Sequence, residues 1–255
     1  MKTQALVAAL AATTLGASAS ASQILAFDNF GGDDSNLTSF IGEGVFGSPG
    51  DGFEEYDSGE GAPFTLIDSS AGTFPADTAG IIVEAPDGSF DPFFGAVDTV
   101  NGDTTATGGT VTAVWTFSVP GSQDIAVSFD LAAFGDFEDA DEYTIEVGID
   151  GSTLATFAAA ADTDASLTYT LASGTTVDLD DPLTLDGVTL SNVFSNFSTG
   201  ILGDGDEVTV SVTATLDGGS EGVALDNLTV TGVPEPATAA LLGLGAAAML
   251  RRRSA

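Results

Sequence analysis

The sequence predicts an all-β fold, an antiparallel β-sandwich of the jelly-roll kind, on three observations. Short segments alternate strictly between apolar and polar residues, which is the period of a strand with one face buried. Glycine is abundant, at 32 residues, and Gly, Asp and Pro fall between the alternating segments, where turns are needed. Between the two chain ends no segment of useful length has the 3.6-residue period of a helix.

The elements follow in order. Ile24 to Phe30 places Ile24, Ala26, Asp28 and Phe30 on one side. The stretch 31–61 is rich in Gly, Asp and Glu with weak periodicity and is expected to form long loops. Phe64 to Asp68 and Gly80 to Glu84 are short candidate strands. Val111 to Val119 alternates without a break, and Ile125, Val127, Phe129 and Leu131 form another inward row. Tyr143, Ile145, Val147 and Ile149 do the same, and Asp150-Gly151 predicts a tight hairpin into Thr153 to Ala158. Leu167 to Leu171 and Leu185 to Leu190 are further single strands; Val208 to Leu216 and Ala224 to Val230 close the domain.

Charge is distributed in an extreme way. All four basic residues, Lys2 and Arg251 to Arg253, lie at the ends, while 38 Asp and Glu fill the span between them. Such a surface repels phosphate backbones and anionic membranes, which excludes nucleic acid as a partner. A hydrophobic fraction of 43% with 17 Phe is nonetheless enough for a packed core. With no Cys the chain has no disulfides. With no His, Cys or internal Lys it cannot assemble a Ser-His-Asp, Cys-His or Ser-Lys nucleophile, nor a zinc site of Cys and His. Paired carboxylates of the glycosidase type are the remaining catalytic route, but 38 acidic residues guarantee such pairs by chance. The expectation is a protein that is not an enzyme.

The ends carry addresses. Met1-Lys2, the apolar Ala5 to Leu15 and the small residues Ala17 to Ala21 have the layout of an export signal over residues 1–21, with cleavage after Ala21. At the other end Val233-Pro234-Glu235-Pro236 leads into an apolar segment expected to be helical, Ala237 to Leu250, stopped by Arg251, Arg252 and Arg253. As a helix its 14 residues would reach only about 21 Å, short of a bilayer core of about 30 Å. By the positive-inside rule the arginines stay cytoplasmic and the body, residues 22–232, lies outside. This hinge, apolar segment and basic stop resemble the PEP-CTERM sorting tail of exported bacterial proteins. The resemblance covers Val233 to Ala255 and implies recognition by an exosortase-type membrane enzyme. It also implies delivery to the cell envelope or an extracellular polymer matrix.

Oxygen-rich clusters suit hard cations, Ca²⁺ above all. The densest supplies Asp136, Glu138, Asp139 and Asp141 as candidate ligands, just before the Tyr143 strand. Asp226 shares parity with Leu228 and Val230, and Asp28 with Ala26 and Phe30, so both carboxylates should point inward. With no basic residue to pair with, each requires a cation or a set of backbone N–H donors. The ending Ala224 to Val230 resembles the closing strand of jelly-roll carbohydrate-binding modules. That resemblance implies a structural Ca²⁺ between the chain ends, held by Asp28 and Asp226. Trp115, Tyr56, Tyr143 and Tyr169 are the candidates for a sugar-stacking face, with Trp115 and Tyr143 placed by parity in the core. The expected role is therefore structural or adhesive, with polysaccharide or Ca²⁺-mediated contacts. A Ca²⁺-stabilised carbohydrate-binding module is the alternative, and a carboxylate-dependent glycoside hydrolase the second.

Overall fold

The computed structural model describes residues 21–31, 34–42, 52–56, 82, 92–100, 110–171, 174–218 and 221–235. The signal segment before Ala21, the apolar tail segment 237–250, the arginines and the candidate strand Phe64 to Asp68 lie outside them, as does all of Gly80 to Glu84 except Ile82. Among the described residues all regular structure is β, and every strand pairing is antiparallel. The strands are β1 (Gln23–Asp28), β2 (Asp34–Ser35), β3 (Leu37–Gly42), β4 (Gly52–Tyr56) and β5 (Phe93–Val97). Then come β6 (Val111–Phe134), β7 (Glu142–Ile149), β8 (Ser152–Ala161), β9 (Ser166–Thr170) and β10 (Thr176–Asp180). The last are β11 (Leu183–Leu185), β12 (Val188–Thr189), β13 (Ser195–Ser198), β14 (Gly203–Thr215) and β15 (Gly222–Val233).

Thirteen of these strands form one sheet that curls into two facing layers, and β6 belongs to both. Its first half, Val111 to Ser118, lies between β3 and β14, with β7, β8 and β11 extending that layer. Its second half, from Gln123 to Phe134, lies between β13 and β15, with β1 and β5 on the far side of β15. The sequence predicts two separate strands here. They are one strand of 24 residues that changes layers near Pro120 to Asp124, where its regular burial alternation breaks. Gly121 adopts φ +64° and Asp124 φ +51° at that bend.

The chain then crosses back through 135–141 into β7, while β14 crosses the other way through 216–221 into β15. Phe134 pairs with Gly222, and Thr215 pairs with Glu142, so both crossings occur side by side at one end of the sandwich. Adjacent strands crossing together between layers are the jelly-roll arrangement the sequence predicts.

The alternating rows face a single core. Trp115 and Phe117 from one layer meet Phe94, Phe129 and Leu131 from the other, all at most 1% exposed. Phe129 meets Phe157 of β8 edge-on at 5.0 Å, which locks the layers together. A second, smaller cluster lies on the opposite face of the β5–β6–β15 layer, where the β9–β10 hairpin brings Tyr169 against Phe134 and Leu171 joins Phe93 and Val97. β5 is therefore buried on both faces, as is the end of β6. Burial on both faces removes the polar alternation, which is why β5 has no period-two signature.

Three expectations are corrected. The stretch 31–61 contains β2, β3 and β4, which pair with β1, β6 and β5 respectively. Each is short and flanked by Gly- and Asp-rich sequence, which masks the strand period. Leu185 to Leu190 is not one strand: it holds the end of β11, a turn at Asp186 and Gly187 with φ +51° and +77°, and β12. The same left-handed pair closes β7 to β8, where Asp150 and Gly151 sit at φ +49° and +78° as the hairpin rule requires. Phe93 to Val97, Thr176 to Asp180 and Ser195 to Ser198 are strands absent from the predicted set; of these, Thr176 to Asp180 does alternate, Val177 and Leu179 being its apolar positions.

Candidate metal centre at the crossover end

At the crossover end four carboxylates converge. Glu138 and Asp141 come from the first connection, Asp217 and Glu221 from the second, and each offers an oxygen within 4.8 Å of the others. Backbone amides hold two of the four carboxylates, Asp141 and Glu221. Glu138 N donates to Asp141 Oδ2 at 2.6 Å, and Asp217 N donates to Asp141 Oδ1 at 3.2 Å. Asp141 thus ties the two crossings to each other. Gly218 N donates to Glu221 Oε1 at 2.7 Å. Glu221 is 0% exposed, and its second oxygen, Oε2, has no hydrogen-bond donor. Gly135 makes that burial geometrically feasible, since a Cβ there would fall 2.7 Å from the Glu221 Cα.

The electrostatics of this corner are unfavourable without a counter-charge. Burial, then the Asp141 carboxylate, pushes Glu221 up to about 10. Burial, then the neighbouring Asp141 and Asp217 carboxyls, raises Glu138 to about 7. Asp28 and Asp136 are also raised, chiefly by burial. A carboxyl held above its ordinary value binds more protons in the folded chain than in the unfolded one. The stability it allows is complete below the unfolded carboxylate range and is lost as pH rises through the folded value. In chelator at constant ionic strength, the urea midpoint should therefore fall between about pH 5 and about pH 8. A midpoint that rises over that interval contradicts this electrostatic picture.

The sequence-predicted ligands divide. Glu138 and Asp141 join the cluster. Asp136 is exposed and is raised by Asp181 and Asp180 as well as by burial, so it faces a different acidic group. Asp139 is exposed outside the cluster. Asp28 and Asp226 do point inward, at 6% and 4% exposed. Both carboxylates accept local hydrogen bonds. Phe30 N donates to Asp28 Oδ1 at 2.9 Å. Asn227 N donates to Asp226 Oδ1 at 2.6 Å, and Asn227 Nδ2 bridges Asp226 and Asp130.

Asp217 and Glu221 carry no sequence signal of their own. They lie 76 or more positions beyond Asp141, and only the jelly-roll crossing brings the two connections together. Elsewhere the acidic side chains act as amide acceptors. At the opposite end Asp206 accepts from Gly121 N at 2.6 Å, Asp204 from Asp124 N at 3.0 Å, and Asp150 from both Asp206 N and Glu207 N. Three of the sugar-stacking candidates are in the interior. Trp115, Tyr143 and Tyr169 are at most 1% exposed, and Tyr169 directs its hydroxyl to Gly135 O at 3.4 Å. The fourth, Tyr56, is the last residue of β4 and pairs with Phe93.

The last strand runs straight into the sorting tail: β15 ends at Val233, and Pro234 and Glu235 leave it with the Glu235 side chain over Gly121. An antiparallel jelly-roll sandwich continued by such a tail defines an exported, envelope-sorted β protein. Residues 232–254 match the PEP-CTERM protein-sorting motif, so the chain is an exported protein carrying an exosortase sorting signal. No curated protein matches the chain. Among solved structures it is similar to TmCBM61 in complex with β-1,4-galactotriose, at 9% identity and TM-score 0.30 over 58% of this chain and 78% of that one. It is also similar to the Stig cyclase Fisc from Fischerella sp. TAU, at 11% identity and TM-score 0.33 over 64% of this chain and 72% of that one. Overlap at this level transfers no ligand or activity.

Proposed function

We propose that this chain is a non-catalytic structural or adhesive protein of the cell envelope or extracellular matrix, held or released there through its tail. The observation that carries this is the direct continuity of β15 with the sorting motif. β15 spans 12 residues, roughly 36 Å at a strand rise of about 3.3 Å. It begins at the crossover end and finishes at the tail. The body is therefore presented with its β6 bend toward the membrane and its carboxylate-lined crossings away from it.

The absence of Cys, His and internal Lys supports a non-catalytic role by removing the usual nucleophiles and general bases. The acidic body disfavours nucleic acid and anionic lipid, and leaves neutral or cation-bridged polysaccharide as the partner class. Placing residues 232–255 behind a secreted reporter in the native host tests the sorting half. Retention or C-terminal processing of that reporter at the envelope, dependent on Pro234 to Pro236, is the expected result. A reporter that passes freely into the medium, with or without the tail, removes the basis of the proposal.

A further inference from the structure

The carboxylate cluster is not a solvated acidic loop. Glu221 is fully buried, yet its Oε2 has no donor while Asp141, Glu138 and Asp217 bring further oxygens within 4.8 Å. An ionised carboxylate without compensation is costly in such a place, and adjacent carboxylates add repulsion. No Lys, Arg or His between residues 3 and 250 can relieve it. Asp141 already accepts two amide hydrogens, but each of its oxygens keeps a second lone pair. Glu138, Asp217 and Glu221 Oε2 need not break any of these backbone bonds to ligate.

We infer that Glu138, Asp141, Asp217 and Glu221 form a Ca²⁺ site that staples the two interlayer crossings together. The donor set is all oxygen and anionic, which suits a hard cation. Ligand number discriminates further. Ca²⁺ takes about 6–8 oxygens in a flexible shell, whereas Mg²⁺ keeps several waters and is held through one or two carboxylates. Four carboxylates with oxygens within 4.8 Å of one another suit the larger, less rigid ion.

The site lies away from the β1–β15 pairing, where Asp28 and Asp226 are held by amide and side-chain donors. Its consequence is mechanical. Glu138 and Asp141 lie between β6 and β7, and Asp217 and Glu221 between β14 and β15, so a shared ion resists separation of the two layers there. The inference does not rest on the sorting tail, and its test reads the body's own stability.

The test titrates CaCl₂ into the purified full chain at fixed ionic strength and follows thermal unfolding, with MgCl₂ and NaCl as parallel arms. At a hundredfold excess of Ca²⁺ over its Kd, the Tm should rise by roughly 5–10 °C. NaCl at matched ionic strength should not reproduce the rise, and Mg²⁺ should give clearly less. Glu221→Gln keeps the shape while removing one buried charge, and should abolish the Ca²⁺-dependent shift without lowering the metal-free Tm. Asp217→Asn, at an exposed ligand, serves if the first variant does not fold, and should weaken Ca²⁺ affinity tenfold or more. No Ca²⁺ response in the unaltered chain overturns the inference. So does a response matched by Mg²⁺, or one unchanged in the foldable variant.

Discussion

Replacing Trp115 by Ala should destabilise the body by roughly 3–5 kcal/mol, the range for emptying a large aromatic site in a core that cannot collapse. Trp115 is 0% exposed and stands edge-on to Phe94 at 4.9 Å and to Phe30 at 5.9 Å. Those rings come from β5 and from the turn after β1, on the layer opposite Trp115. Its loss therefore empties the space between layers, not only a place within one. Trp115→Phe keeps most of the volume and serves as the matched control. Chemical unfolding of both variants separates the two: the Ala variant should lose several times what the Phe variant loses. Equal losses would mean that packing between the layers contributes little here.

The second large effect is expected at Gly135, the first residue of the crossing after β6. It holds φ +155°, and an added Cβ would sit 2.7 Å from the Glu221 Cα, which is backbone and cannot swing away. Strain and overpacking of about 1–3 kcal/mol each give a loss of roughly 2–6 kcal/mol for Gly135→Ala. Gly151→Ala is the matched control. That glycine also lies at positive φ, +78°, but a Cβ there would meet nothing within 4 Å. It should cost only about 1–2 kcal/mol, the backbone share. Urea denaturation of the pair measures the difference. A Gly135→Ala loss no larger than the control would mean that Glu221 is not clamped against this crossing.

The strands legible in the sequence are those with one wet face. β7, β14 and the two halves of β6 alternate because one side of each meets the core and the other meets solvent or polar neighbours. β5 could not be found in this way, because Phe93 and Val97 pack under the β9–β10 hairpin while Phe94 and Ala96 face the main core. The Asp-Gly rule located the β7–β8 turn and applies equally to Asp186-Gly187, where short flanking strands hid it. The candidate site was half legible. Glu138 and Asp141 stand in a visible acidic run, whereas Asp217 and Glu221 become partners only through the jelly-roll crossing. Parity placed Asp28 and Asp226 inward, and the donors found on them come from the turn after Asp28 and the bulge at Asn227. A Pro-Glu-Pro hinge, an apolar segment and three arginines identify the tail without any structure at all.

The most direct measurement of the account is the intact mass and location of the chain recovered from its native host, with and without the exosortase. The protein should be found outside the cytoplasmic membrane and lack residues 1–21. Its C-terminus should be altered near Pro234 to Pro236 when the exosortase is present, and the tail to Ala255 should remain when it is absent. A full-length chain in the cytoplasm, with the same mass in both strains, would contradict it.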